Sequence, residues 1–206
     1  MKGFRSSSLK LACSLLITIL FVASSYGTDI YNNLGSPNSG QDPVTSFGPL
    51  ADSFSTGSGG FSVDQVTVLL DGDNANAGSL TVYLLADNST SPGAVLATFG
   101  TLNDSSLTGS LADYTFTLGS AYSLAANTRY WVEIVGNNSS ANWGWSLDQT
   151  GVGVAGEYFA NTNGVFQNVN GPYQMELSGG ATTPEPASLL LLGTGLLGLA
   201  GARRRK

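Results

Sequence analysis

"ADYTFTL", Ala112–Leu118, alternates without a break: Tyr114, Phe116 and Leu118 fall on one face, Asp113, Thr115 and Thr117 on the other. Period two marks a strand with one side in an apolar core and one in water. The same pattern recurs in both directions. "QVTVLLD" sets Val66, Val68 and Leu70 against Thr67 and Leu69, and "SLTVYLLAD" aligns Leu80, Val82 and Leu84. "RYWVEIVG", "NWGWSLD" and "PYQMELS" continue the series towards the C-terminus.

Polar clusters separate these runs: "TGSGG", "DGDNANAG", "DNSTSPG", "NDSSLTG" and "GNNSSAN". Such residues accept positive φ or bond their own backbone, which suits hairpins and tight loops. Eight to ten short strands at this spacing predict an all-β fold, an antiparallel β-sandwich of jelly-roll type. The stretch from Thr28 to Leu50 is rich in Asn, Gly and Pro, and is expected to hold one or two edge strands.

The chain has 206 residues, no His and a single cysteine, Cys13. Residues 1–27 place Lys2, Arg5 and Lys10 before an apolar run, Leu11–Ala23, and then small residues around Ser25 and Gly27. That three-part order is a secretory signal peptide, with cleavage after Gly27. Cys13 opens the apolar run, where a lipidated cysteine would close it. Removal of the signal leaves a chain without thiols, held together without disulfides.

Residues 28–183 carry thirteen of the fourteen acids but only one of the eight Lys and Arg, Arg129. A domain with twelve net negative charges repels phosphate backbones, so nucleic acid is excluded as a partner. Without His or a mature Cys, thiol nucleophiles, the commonest general base and most zinc sites are absent. Glu133, Glu157, Glu176 and the aspartates leave a carboxylate-based glycoside hydrolase as one reading. Scattered acids on strand faces fit solvated positions better, and the domain is expected not to be an enzyme.

Asp71, Asp73 and Asn76 in "DGDNAN" offer oxygen ligands for calcium. The helical calcium-loop pattern fails, however, with Ala75 and Val82 where donors are required, so a polar hairpin is expected and no cofactor is assigned, with a non-helical calcium site on the sandwich edge as the lesser reading. Trp131, Trp143 and Trp145 admit two readings. Alternate aromatics on a strand fill the space between two sheets; exposed, Trp143 and Trp145 with Asn138 and Asn142 would make a carbohydrate platform. Arg129 shares a face with Trp131 and Glu133, which suits local stacking and an ion pair. The N-x-S/T triplets at Asn88, Asn103, Asn137 and Asn138 read as turns.

The last residues run "TPEPASLLLLGTGLLGLAGARRRK". Residues 187–202 are uncharged and mostly apolar. As a helix they would span about 24 Å against the roughly 30 Å of a bilayer core. Arg203, Arg204, Arg205 and Lys206 extend the reach by snorkelling and keep the basic end in the cytoplasm. Gly193, Gly195, Gly198 and Gly201 narrow the helix for close approach by another membrane protein. Pro184 and Pro186 hold the backbone extended around Glu185. The expected organisation is signal 1–27, sandwich 28–178, linker 179–183 and tail 184–206.

This tail resembles the PEP-CTERM sorting signal of Gram-negative bacteria. The resemblance implies that an exosortase, an integral-membrane transpeptidase-like enzyme, recognises Pro184, Glu185 and Pro186 and removes the tail. It also implies exopolysaccharide production and biofilm or floc matrix as the setting. Expected partners are therefore exosortase, signal peptidase, the export machinery, exopolysaccharide and, for a time, the inner membrane. The final location is the cell surface or matrix. The middle, "FSVDQVTVLLDGDNANAGSLTVYLLADNSTSPGAVLATFGTL" with "YSLAANTRYWVEIVG" and "NWGWS", is similar to choice-of-anchor R domains, β-rich extracellular units without established enzymatic activity. From Phe61 to Ser146 that similarity implies no binding residues.

Overall fold

The structure, a computed structural model, describes residues 29–181. The expected signal segment, Pro184–Pro186, the run 187–202 and the cations Arg203–Lys206 lie outside the described residues. Among the described residues there is no α-helix, and no helix is long and apolar enough to cross a membrane. The strands are β1 (Tyr31–Asn32), β2 (Gly40–Pro43), β3 (Leu50–Ser55) and β4 (Phe61–Asp71). Next come β5 (Ser79–Asp87), β6 (Pro92–Asn103), β7 (Ala112–Leu124) and β8 (Arg129–Asn137). The last four are β9 (Asn142–Trp145), β10 (Tyr158–Asn161), β11 (Gly164–Gln167) and β12 (Met175–Ala181).

All pairings between these strands are antiparallel, in two six-stranded sheets. In the first sheet β4 is central, with β7 along one side. β12 and then β1 lie along the other, and β9 with β2 take over that side where β12 leaves off. The second sheet runs β11-β10-β3-β8-β5-β6.

The inner faces are those the alternation specifies. Val66, Val68 and Leu70 of β4, Leu80, Val82 and Leu84 of β5, and Val132 and Ile134 of β8 are fully buried in one cluster. Phe116 joins them, with Tyr114 and Leu118 packed beside it. Each fully buried side chain of this kind contributes about 1.5–3 kcal/mol by leaving water. On the outward faces threonines pair across strands, Thr67 with Thr115 at 2.9 Å and Thr81 with Thr101 at 3.0 Å. The early segment holds two short strands, β1 and β2, and each ends a row of paired strands, as expected.

Two expectations are corrected. Twelve strands form among the described residues rather than eight to ten; β3, β6, β10 and β11 lie outside the alternating runs of the sequence. The stretch 179–183 is not wholly linker either, because β12 continues past Ser178 with Gly179, Gly180 and Ala181 opposite Val63, Ser62 and Phe61.

Candidate functional site

The register places both ends of the described chain on neighbouring strands of the first sheet. Tyr31 lies opposite Leu177, and the Ile30 amide donates to the Leu177 carbonyl at 3.1 Å. Ala181 lies opposite Phe61, and Phe61 opposite Leu124, so the β7–β8 turn is at the same end as the close of β12. There the Thr56 amide bonds the Thr128 carbonyl, and the Asn127 amide bonds the carbonyl of Gly57.

β4 is irregular just short of this end. Val63 pairs with Gly179 and Gln65 with Ser178, so Asp64 is an extra residue against β12. Against β7 the pairing jumps from Tyr122 to Thr117 over the same Asp64, leaving residues 118–121 out of register. Bulges on both flanks of one residue cut the first sheet into a long body and a short terminal patch. A hollow of about 500 Å³ lies open beside Asp64, Ala121, Gly179 and Gly180. Gly179 is required, since a Cβ there would collide with the Ser62 carbonyl oxygen.

The three tryptophans do not form one platform. Trp143 is fully buried between the sheets, stacked on Tyr173 at 4.7 Å, with its indole N–H donated to the Gln174 carbonyl at 2.9 Å. Trp145 shares its face and is half-buried against the core; its ring occupies the space where Gly40 would carry a Cβ. Trp131 is fully buried too, but on the outer side of the second sheet. There it forms a separate small cluster with Ala51, Leu85 and Ala160, flanked by the half-buried Tyr83 and Tyr158. Its indole N–H donates to Asp87 at 2.8 Å. Burial removes Trp131 and Trp143 from any exposed sugar-stacking surface.

Arg129 has the role expected of it with different partners. Its Nε donates to Glu157 at 2.8 Å, rather than to Glu133, and its guanidinium lies 4.8 Å from the Tyr158 ring centre, rather than on Trp131. Ser53 donates to the same Glu157 oxygen at 2.5 Å. Glu157 is thus sealed between β3, β8 and the start of β10. Glu133 stands on β8, half-buried, and desolvation raises its pKa. Glu176 lies on the other sheet and accepts from Asn32 at 2.9 Å; partial desolvation, with Asp29 and Asp113 nearby, raises its pKa. Glu133 and Glu176 alternate away from buried neighbours on opposite sheets, so they cannot flank one glycosidic bond.

The calcium candidates have structural work. Asp71 accepts from Asn142 at 2.8 Å, Asp73 from the Ala75 amide at 2.9 Å, and Asn76 from the Gly78 amide at 3.0 Å. These bonds fold the β4–β5 loop as a polar turn. Among the described residues no three His, Cys, Asp or Glu side chains gather as metal ligands.

Two buried aspartates escape sequence reasoning. Asp104 accepts from Ser139 at 2.7 Å and from the Ser140 amide at 2.6 Å, tying the β6–β7 and β8–β9 loops together at the end remote from Ala181. Asp52, on β3, accepts from the Tyr173 amide at 2.6 Å and from Tyr31 and Asn168 at 3.3 Å. Burial raises the pKa of Asp52, partly countered by those three bonds, and burial beside Asp52 raises that of Tyr31. A single buried carboxylate carries no period-two signal, so neither position stands out in the sequence.

The segment with a recognisable function follows Ala181 directly. Residues 182–206 match a family model described as the PEP-CTERM protein-sorting motif. The chain carries an exosortase sorting signal. A PEP-CTERM motif is recognised by exosortase and marks a protein for export and sorting to the cell surface in Gram-negative bacteria. No curated protein matches the chain. The PEP-CTERM segment begins at the residue after β12 ends, which joins it to the terminal patch of the first sheet.

Proposed function

We propose that this is an exported, non-catalytic surface or extracellular-matrix protein. Its tail holds it briefly in the inner membrane, domain outside, until exosortase removes residues beyond the Pro184–Pro186 region; exopolysaccharide or biofilm matrix is its setting. The observation that carries this reading is the sorting motif attached directly to the last strand of a two-sheet β-fold. Supporting the non-catalytic part, Glu157 is engaged by Arg129 and Ser53, and Glu133 and Glu176 sit on different sheets. Intact mass of the surface fraction tests it: both ends should be missing, with the new C-terminus near Pro184. A surface species still ending in Lys206 would overturn the sorting reading.

A second reading keeps carbohydrate binding but moves it. Tyr83 and Tyr158 flank Trp131 on the outer face of the second sheet, with Glu133 on the same face as Trp131. Partly exposed rings beside a carboxylate suit a sugar ring and its hydroxyls. Titration with a panel of neutral and acidic oligosaccharides is the test. Binding that survives Tyr83→Ala and Tyr158→Ala together would rule this face out.

A further inference from the structure

We infer that the last three rungs of β12 unzip from β4 before the tail is removed, so that the terminal patch of the first sheet controls processing. The inference rests on the sorting reading above. Four observations on the strand itself carry it. Only Thr182 and Thr183 separate Ala181 from Pro184, a reach of about 10 Å at full extension. An enzyme that grips an extended chain on both sides of the tripeptide therefore meets the end of a folded sheet. Among the described residues β1 pairs with β12 only at Glu176 and Leu177, and the strand partner of residues 179–181 is β4. The bulge at Asp64 separates those rungs from the body of the sheet. Gly179 and Gly180 bring no side chain to bury, and the hollow beside them is open among the described residues. The patch can open while Val66, Val68 and Leu70 stay packed.

Gly179, Gly180 and Asp64 are on this account positioning residues for the sorting reaction. Ser62 and Gly180 lie directly opposite each other, and the only cysteine of the chain, Cys13, is in the segment read as the signal. Ser62→Cys with Gly180→Cys therefore introduces the only two thiols of the mature protein. The full-length double variant, expressed with exosortase, should lose its tail at least about ten-fold more slowly when oxidised than when reduced. Inserting ten Gly/Ser residues between Ala181 and Thr182 should restore cutting of the oxidised form, because the tripeptide then clears the sheet. The same insertion in the otherwise wild-type chain, which leaves every strand intact, should speed cutting several-fold. Equal rates for the oxidised and reduced double variant, or no gain from the insertion, would overturn the inference. A wild-type chain that is never cut would overturn the sorting reading itself, and the inference with it.

Discussion

Asp52 joins the two sheets through one carboxylate: its own strand belongs to the second, while Tyr31 lies on the first and Tyr173 on the approach to β12. Burial raises its pKa in the folded chain above the ordinary value it has when unfolded. The folded state then holds that proton more tightly. Its contribution is complete below the unfolded pKa and is lost as pH rises through the folded one. Thermal melts should accordingly show wild type losing stability relative to Asp52→Asn as pH rises from 4 towards 8. A constant difference across that range would disprove the account. Trp143 makes a second residue-scale case. Trp143→Phe keeps the stack on Tyr173 but leaves the Gln174 carbonyl without its indole donor, at a cost of about 1–3 kcal/mol measured by urea unfolding. The sequence shows that Trp143 and Trp145 share a face. It does not show which face is inward, because both sides of an aromatic strand can be covered, as Trp131 demonstrates from the outer side of β8.

Strands written in clean alternation are legible in the sequence; strands covered on both faces are not. "LADSFS" is buried over its first five residues, with Asp52 and Ser53 among them, so its polar letters disguise a central strand as a loop. β10 and β11 are four residues each, too short for a period to register. Gly179 and Gly180 read as linker because glycine is a turn signal, although β4 supplies a partner strand that local composition cannot reveal. Pairing also decides where Arg129 goes: Ser53, opposite Trp131, brings Glu157 within reach, and no sequence distance announces it. Arg129→Met would leave the Glu157 carboxylate, 4% exposed, without its counter-ion. The expected loss is about 1–3 kcal/mol, less than for a fully buried pair because the arginine is partly solvated. Glu157→Gln in the same chain should recover much of that loss; a double variant as unstable as the sum of both singles would count against the pairing.

At the scale of the molecule, the all-β class follows from periodicity, but the strand order does not, since hydrogen-bonded neighbours such as β3 and β8 are far apart in the chain. The tail is legible because its information is local: two prolines, an apolar run and four cations in sequence. Glu185→Ala should leave the uncut chain in the inner membrane, read by fractionation and intact mass; normal release would remove the tripeptide from the sorting mechanism. Residues 28–181 alone should fold into the same pair of sheets. Ending the chain at Ser178 instead deletes three rungs and should cost about 1–3 kcal/mol, at roughly 1 kcal/mol per net backbone hydrogen bond. The adjacency of β1 and β12 has one more consequence. Chain ends that lie on neighbouring strands can be spliced by a short loop, and the chain reopened at the exposed β10–β11 hairpin around Thr162–Asn163, without changing any strand's neighbours. The fold is in effect a closed circuit with its plug at one end. A signal segment, a sorting tail or an engineered fusion wired to that plug attaches at the end of the sheets opposite the Asp104-bound loops.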